Sequence, residues 1–271
     1  MYEASPKLYD EFYVGAGKDY EGEAAAVLRL ARAGRRAATS LLDVACGTGR
    51  HLEYFSRELR CTGVDLNPEY LEAARRRCPT ASFLVADMVD LALDDRFDVV
   101  TCLFSSIGHT GTVDRLHRGI ASMAHRLNPG GLLVVEPWFV PDAWRVGVMS
   151  ASTVDTEGGI AVRIASSGRR GDLALLDFHY LVGTTAGTGS TVSTVSTGTD
   201  GSDAGPEEPS DTGAEAQPGG VEYFVEHHEL GLFTWDQYRD AFEAAGLRFH
   251  IDRYGLTGRG LVIGISGERS G

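Results

Sequence analysis

The stretch Leu41-Leu-Asp-Val-Ala-Cys-Gly-Thr-Gly-Arg-His51 decides how the rest of the chain is read. An apolar run delivers one acid, Asp43, and two glycines then turn the backbone before helical spacing resumes over residues 51–59. Gly47 and Gly49 carry no Cβ, so the main chain there can approach a ligand closely. Strand, glycine turn and helix in that order open a doubly wound α/β sheet. No third glycine follows two residues after Arg50, which separates the motif from the dinucleotide fingerprint Gly-x-Gly-x-x-Gly.

The same rhythm continues downstream. Cys61-Thr-Gly-Val-Asp65 reads as a second strand, and Asn67 as the N-cap of a helix with Pro68 at its first position. Ser82-Phe-Leu-Val-Ala-Asp87 is a third strand and Phe97-Asp-Val-Val-Thr-Cys-Leu103 a fourth. Residues 113–127 have helical spacing and stop at Asn128-Pro-Gly-Gly, before a fifth strand over residues 131–136. Continuous apolar strands alternating with amphipathic helices predict a mostly parallel sheet buried on both faces. Right-handed crossovers leave few topologies open.

Residues 6–36 read as helix, turn and helix around Gly15-Ala-Gly-Lys-Asp. Past Pro137 a strand-rich excursion is expected, with turns at Gly158-Gly159 and across residues 168–171. Residues 183–220 are Gly/Ser/Thr-rich, then acidic, with no Lys or Arg, too little apolar surface to offset ordering entropy. A disordered loop is expected there, with a strand resuming at Val221. Thr234-Trp-Asp-Gln237 matches a capping box, Gly246 ends that helix, and residues 248–254 and 260–265 close the sheet. The expected organisation is a helical cap (1–36), a core (37–150), a strand-rich substrate-side insertion (151–233) and a C-terminal return to the core sheet (234–271).

Composition narrows the function. The chain has 271 residues, 43% hydrophobic and 23% charged, as globular domains do. A net charge of -13 disfavours a nucleic-acid substrate, because phosphate binding needs a basic surface. Cys46, Cys61, Cys78 and Cys102 show no metal or redox spacing, and three of them sit at the edges of expected strands as reduced apolar fillers in a cytoplasmic protein. No leader pattern and no run long enough to span a bilayer is seen, so no membrane partner is expected. A metal is not expected either, since His227 and His228 are adjacent on a strand and point to opposite faces.

The acids at the strand ends carry the site. Asp65 closes the second strand, where a carboxylate can accept both hydrogen bonds of a ribose diol. Asp87 closes the third and can accept from an adenine amino group while Met88 packs on the ring. With Asp43, three acids at successive strand ends converge on the crevice where open α/β sheets bind ligands.

This run, with Asp65, Ala86-Asp-Met88 and the spacing of the fourth and fifth strands, resembles the class I S-adenosylmethionine methyltransferases over roughly residues 38–136. By that resemblance Asp43, Ala45, Gly47, Gly49, Asp65, Asp87 and Met88 would bind S-adenosyl-L-methionine, with Leu103 and Ser105 flanking the reacting methyl. Leu8-Tyr-Asp, Gly17-Lys-Asp-Tyr20, Phe104-Ser-Ser-Ile-Gly-His109, Val135-Glu-Pro-Trp138 and Gly258-Arg-Gly-Leu261 occur in the same order as in the amino-sugar N,N-dimethyltransferases of macrolide biosynthesis. Those enzymes act on dTDP-linked deoxy-amino sugars. The chain departs from that pattern at Phe139, where a second tryptophan is common, at Asp65, where the family often has Glu, and at Gly255-Leu-Thr-Gly-Arg259.

The resemblance implies that Tyr9 and Tyr20 close over the cofactor, where an aromatic face also suits a sulfonium cation. Trp138, Phe139, Arg163, Tyr180 and Arg259 would line the sugar-nucleotide side, arginine being suited to a diphosphate. His109 is the candidate to accept the amine proton or to orient the amine, and Tyr2 is a second candidate at the extreme N-terminus. A homodimer is compatible with all of this. Another small-molecule O- or N-methyltransferase would share the cofactor residues without needing Trp138 and Arg259.

Overall fold

A computed structural model describes residues 6–34, 37–185 and 219–267. Tyr2 and most of the loop expected to be disordered, 186–218, lie outside the described residues.

Two helices lead in, α1 (Pro6–Gly15) and α2 (Tyr20–Ala33). Asp19 caps α2 by accepting from the Gly22 amide, and the reverse of direction falls at Gly17 with φ +76°. The core then alternates β1 (Ser40–Val44), α3 (Leu52–Phe55), β2 (Arg60–Asp65), α4 (Pro68–Arg77), β3 (Ser82–Val85), β4 (Phe97–Cys102), α5 (Val113–His125) and β5 (Leu127–Val135). Asn67 caps α4 with Pro68 behind it, as the sequence predicts. A 3-10 turn, Ser106–Thr110, sits between β4 and α5.

The seven-stranded sheet has the order β10-β11-β5-β4-β1-β2-β3, where β10 is Arg248–Asp252 and β11 is Leu261–Ile265. The first five strands run parallel, and β11 enters antiparallel beside β5. Strand order reverses beside β1, so the C-terminal ends of β1, β2 and β4 open onto one crevice. One apolar face of the sheet packs Val100, Leu116, Ile120, Met123 and Phe242, and the other packs Leu41, Leu52, Phe55, Leu71 and Val99. β1 is buried at all five positions, the pattern of a central parallel strand.

Between β5 and α6 (Trp235–Ala244) lies a separate antiparallel sheet, β6 (Met149–Thr156), β7 (Gly159–Arg170), β8 (Leu173–Thr184) and β9 (Val221–Gly231). Its inner face, Ala161, Phe178 and Tyr180, receives Leu8 and Phe12 of α1. α6 opens with the expected capping box between Thr234 and Gln237.

Three local expectations are corrected. The helix expected over residues 51–59 is the single turn Leu52–Phe55, because the chain must bring the Arg60 amide to Thr39 O to start β2. Asn128-Pro-Gly-Gly does end α5, but the chain passes through it as part of β5, with a register irregularity opposite Phe97 and Val99 that absorbs the proline. The turn expected across residues 168–171 falls at Gly171 and Asp172, leaving Gly168 paired inside β7.

Gly63 illustrates how tightly β2 is packed. A Cβ there would come within 2.7–2.8 Å of Leu52, Cys46 and Phe83 side chains. Gly63→Ala is expected to destabilise by about 1–3 kcal/mol through overpacking, measurable as a lower midpoint in urea at unchanged slope.

Candidate active site

The turn after β1 is built from positive-φ residues: Ala45 at +57°, Gly47 at +55° and Gly49 at +78°. Gly47 has open space where its Cβ would be, the nearest atom being a Tyr70 ring carbon at 3.9 Å. Gly49 is different. A Cβ there would meet Ala74 at 3.1 Å, so this glycine serves the close approach of α4 and faces away from the crevice.

Two chambers meet at that turn. The narrower, about 40 Å³, is lined by Tyr20, Asp43, Thr48, Arg50, His51, Leu103 and Phe104. The larger, about 410 Å³, is lined by Asp65, Asn67, Tyr70, Ala86 and Met88 on one side and by His109, His228 and Glu229 on the other. Tyr9, Ala45, Gly47 and Ser106 belong to both. A ligand running through both would therefore pass its middle between Tyr9 and the β1 turn.

Asp65 is fixed by the main chain. Its Oδ2 accepts from the Gly47 amide at 2.8 Å and its Oδ1 from the Asn67 amide at 2.9 Å. Burial nevertheless raises its pKa, which those amides partly oppose. Asp43 accepts from the Thr101 hydroxyl at 2.7 Å and is almost wholly buried, so desolvation lifts its pKa to about 6. Asp87 is tied to the Val89 amide and to Arg115 at 3.3 Å, while its neighbours Ala86 and Met88 form the chamber wall.

The N-terminal helices are pinned over the narrow chamber by buried polar contacts. Asp10 of α1 accepts from Thr48 and from Arg77, both at 2.6 Å. Glu23 of α2 receives Lys18 at 2.6 Å and lies 2.7 Å from His51, which together hold its carboxyl below the ordinary range against desolvation.

Two buried hydroxyls beside the chambers, Tyr20 Oη and Tyr70 Oη, have no hydrogen-bond partner among the described residues, while the Arg50 guanidinium is paired with Asp10 at 3.1 Å through Nε. Buried donors left open in this way mark a place where a polar ligand completes the bonding. A cation and two hydroxyls in the two chambers fit a ligand with a carboxylate at one end and a nucleoside at the other.

Sequence reasoning placed several residues here that the structure sets elsewhere. Ser105 lies behind the wall, 1% exposed, donating to Pro137 O at 2.7 Å, and its neighbour Ser106 takes the chamber position. Arg163 stacks on Phe12, Tyr13 and Phe178, and Tyr180 donates to buried Glu226 at 3.2 Å, so both sit in the packing between α1 and the second sheet. Trp138, Phe139 and Arg259 do come together, with the guanidinium 5.3 Å and 5.5 Å from the two rings. Tyr70, Arg50, Ser106 and His228 were missed. Arg50 comes directly after the second glycine and Tyr70 three residues after the Asn67 cap.

The methyltransferase-domain family matches residues 41–131, the segment that runs from β1 into β5 and builds this crevice. Fold and site together define a class I S-adenosylmethionine-dependent methyltransferase. The chain is 37% identical to dTDP-3-amino-3,4,6-trideoxy-alpha-D-glucopyranose N,N-dimethyltransferase of Streptomyces venezuelae, covering 98% of this chain and 99% of that protein. It is 37% identical to dTDP-3-amino-3,6-dideoxy-alpha-D-glucopyranose N,N-dimethyltransferase of Streptomyces fradiae, covering 97% and 91%. Among solved structures, S-adenosylmethionine-bound CalS10, an amino pentose methyltransferase of Micromonospora echinaspora involved in calicheamicin biosynthesis, superposes with a TM-score of 0.76 at 34% identity, over 95% of this chain and 96% of that one. This chain belongs to the family of dTDP-amino-sugar N,N-dimethyltransferases. Its cofactor is S-adenosylmethionine.

Proposed function

We propose that the protein transfers methyl groups from S-adenosylmethionine to the amine of a dTDP-linked 3-amino deoxy sugar, giving the dimethylamino sugar of an antibiotic. The observation that carries this reading is the near-complete span of the similarity, which includes the second sheet and the C-terminal Gly258-Arg-Gly stretch as well as the cofactor core. Both relatives named above act on 3-amino sugars, which favours that carbon.

The roles follow from position. Asp65 would hold the ribose hydroxyls, Ala86 and Met88 the adenine, and Asp43 and Arg50 the two charges of the methionine end. Tyr9 would cover the middle and Tyr20 the methionine end. The bound cofactor supplies a methyl group already activated on sulfur, so the chain contributes alignment and exclusion of water. Each methyl group would pass to a neutral amine that has first shed one proton to solvent, with adenosylhomocysteine as the leaving product.

His109 faces the large chamber from the 3-10 turn. Its side chain is exposed to the chamber, and desolvation together with His228 pushes its pKa down to about 4. A histidine so depressed is neutral in the working range and accepts a hydrogen bond better than it holds a proton. Its role here is to orient the amine. His109→Phe is expected to lower kcat about tenfold, the value of one lost hydrogen bond, with His109→Asn in between. The pH profile of kcat/KM should rise with the ionisation of the substrate amine and show no limb at the ordinary histidine pKa. A limb there, lost in His109→Phe, would instead make His109 the base.

The net charge of -13 supports a small-molecule acceptor over a nucleic acid, and no helix among the described residues is long and apolar enough to cross a membrane. The four cysteines, all buried and unpaired, suit a cytoplasmic location. The test is incubation with S-adenosylmethionine and a panel of dTDP-3-amino sugars, dTDP-4-amino sugars and simple amines, followed by mass spectrometry. Two methyl groups on a 3-amino sugar are expected. Methylation confined to simple amines or to a hydroxyl would overturn the proposal.

A further inference from the structure

Phe104 and Ser105 stand in the left-handed region, with φ of +53° and +60°. Neither is glycine, and two consecutive L-residues held there store backbone strain that the surroundings must over-determine. Two distant stretches, residues 136–137 and 257–259, supply the restraint. Glu136, fully buried at the end of β5, accepts from the Phe104 amide at 2.6 Å through one oxygen and from the Thr257 hydroxyl at 2.5 Å through the other. Ser105 Oγ donates to Pro137 O at 2.7 Å and accepts from Arg259 at 2.8 Å. Immediately after the strained pair comes the 3-10 turn that carries Ser106 and His109 into the large chamber. That turn has little freedom on its far side, since a Cβ on Gly108 would meet Trp138 at 3.1 Å and Leu230 at 3.0 Å.

We infer that Glu136, Ser105 and Arg259 form a brace that holds the Phe104–Ser105 turn left-handed and so sets Ser106 and His109 against the acceptor amine. Ser105 is a positioning residue in this scheme: its buried hydroxyl is engaged by Pro137 and Arg259 and acts through backbone conformation. Arg259 spends one of its donors on the brace while stacking on Trp138 and Phe139. The inference rests on the proposed function for the identity of the acceptor, and on the geometry alone for the brace.

Ser105→Ala and Ser105→Gly separate this role from direct contact. Both lose the hydroxyl, but glycine occupies the left-handed region without strain and alanine does not. Ser105→Ala is expected to lose about tenfold in kcat and Ser105→Gly only about threefold, with the dissociation constant for adenosylhomocysteine unchanged in both. Glu136→Gln, which keeps an acceptor for the Phe104 amide, should retain more activity than Glu136→Ala. Crystal structures of the two Ser105 variants should show residue 105 at negative φ in the alanine form and positive φ in the glycine form. Equal losses in both variants, or a loss expressed in adenosylhomocysteine affinity, would overturn the brace. Should the wild type methylate no amino sugar, the functional reading falls and the φ angles alone decide: unchanged φ in both variants refutes the brace.

Discussion

Asp65→Ala is expected to weaken adenosylhomocysteine binding by about 10²–10³-fold, from two lost hydrogen bonds to a charged acceptor and the loosened turn behind them. The carboxylate does two jobs at once. It holds the Gly47 and Asn67 amides, which fixes the glycine turn and the start of α4, and it presents its remaining lone pairs to the large chamber. Removing it leaves two amides without their acceptor at the edge of the site. Thermal stability should fall modestly, because Asp65 is at a strand end and Asn67 still caps α4 through its own side chain. Calorimetry with adenosylhomocysteine gives the affinity, and a thermal scan separates it from unfolding. Affinity within a few-fold of wild type would mean that the nucleoside lies elsewhere.

Asp43 should make cofactor binding depend on pH. Its pKa is lifted to about 6 by burial, and the positively charged ammonium of the methionine end would favour the ionised form. Binding therefore releases a proton near that pH, and affinity falls as pH drops through about 6. Asp43→Asn should flatten this dependence and weaken binding by about 10-fold to 10²-fold, one charge-assisted hydrogen bond being lost. Stability should move the other way. The folded pKa lies above the ordinary 3.8, so the folded state binds more protons between 3.8 and about 6, and stability declines as pH rises through that window. The cost persists at neutral pH, and the empty Asp43→Asn protein should unfold at a higher temperature than wild type there. Calorimetry in buffers of different ionisation enthalpy measures the released proton directly. No proton release would place Asp43 outside the charge recognition of the cofactor.

Much of the core was legible because it is written in local physics. Leu41, Leu42 and Val44 around Asp43 give a short buried strand, and Gly47 and Gly49 supply positive φ in the turn that follows it. Asp65 was readable for the same reason, as an acid where a parallel strand ends. The two glycines of the motif could not be told apart, since their different partners, open chamber and Ala74, come from α4 twenty-odd residues later. Ser105 was the residue expected at the chamber, and Ser106 takes that place because of a left-handed turn held by Glu136 and Arg259 from other parts of the chain. Arg163 and Tyr180 have the chemistry of a sugar-nucleotide site, but α1 docks on their sheet and takes them into packing. Register between separate layers decides such cases, and no local spacing encodes it.

Donor and acceptor must share the two chambers. A crystal structure with adenosylhomocysteine and a dTDP-amino sugar tests that most directly. The ribose hydroxyls are expected on Asp65, the sulfur between Tyr9 and Ser106, and the sugar nitrogen on the His109 side of the large chamber. Finding the thymidine or the sugar against Asp65 and Met88, with adenosylhomocysteine bound elsewhere, would contradict it.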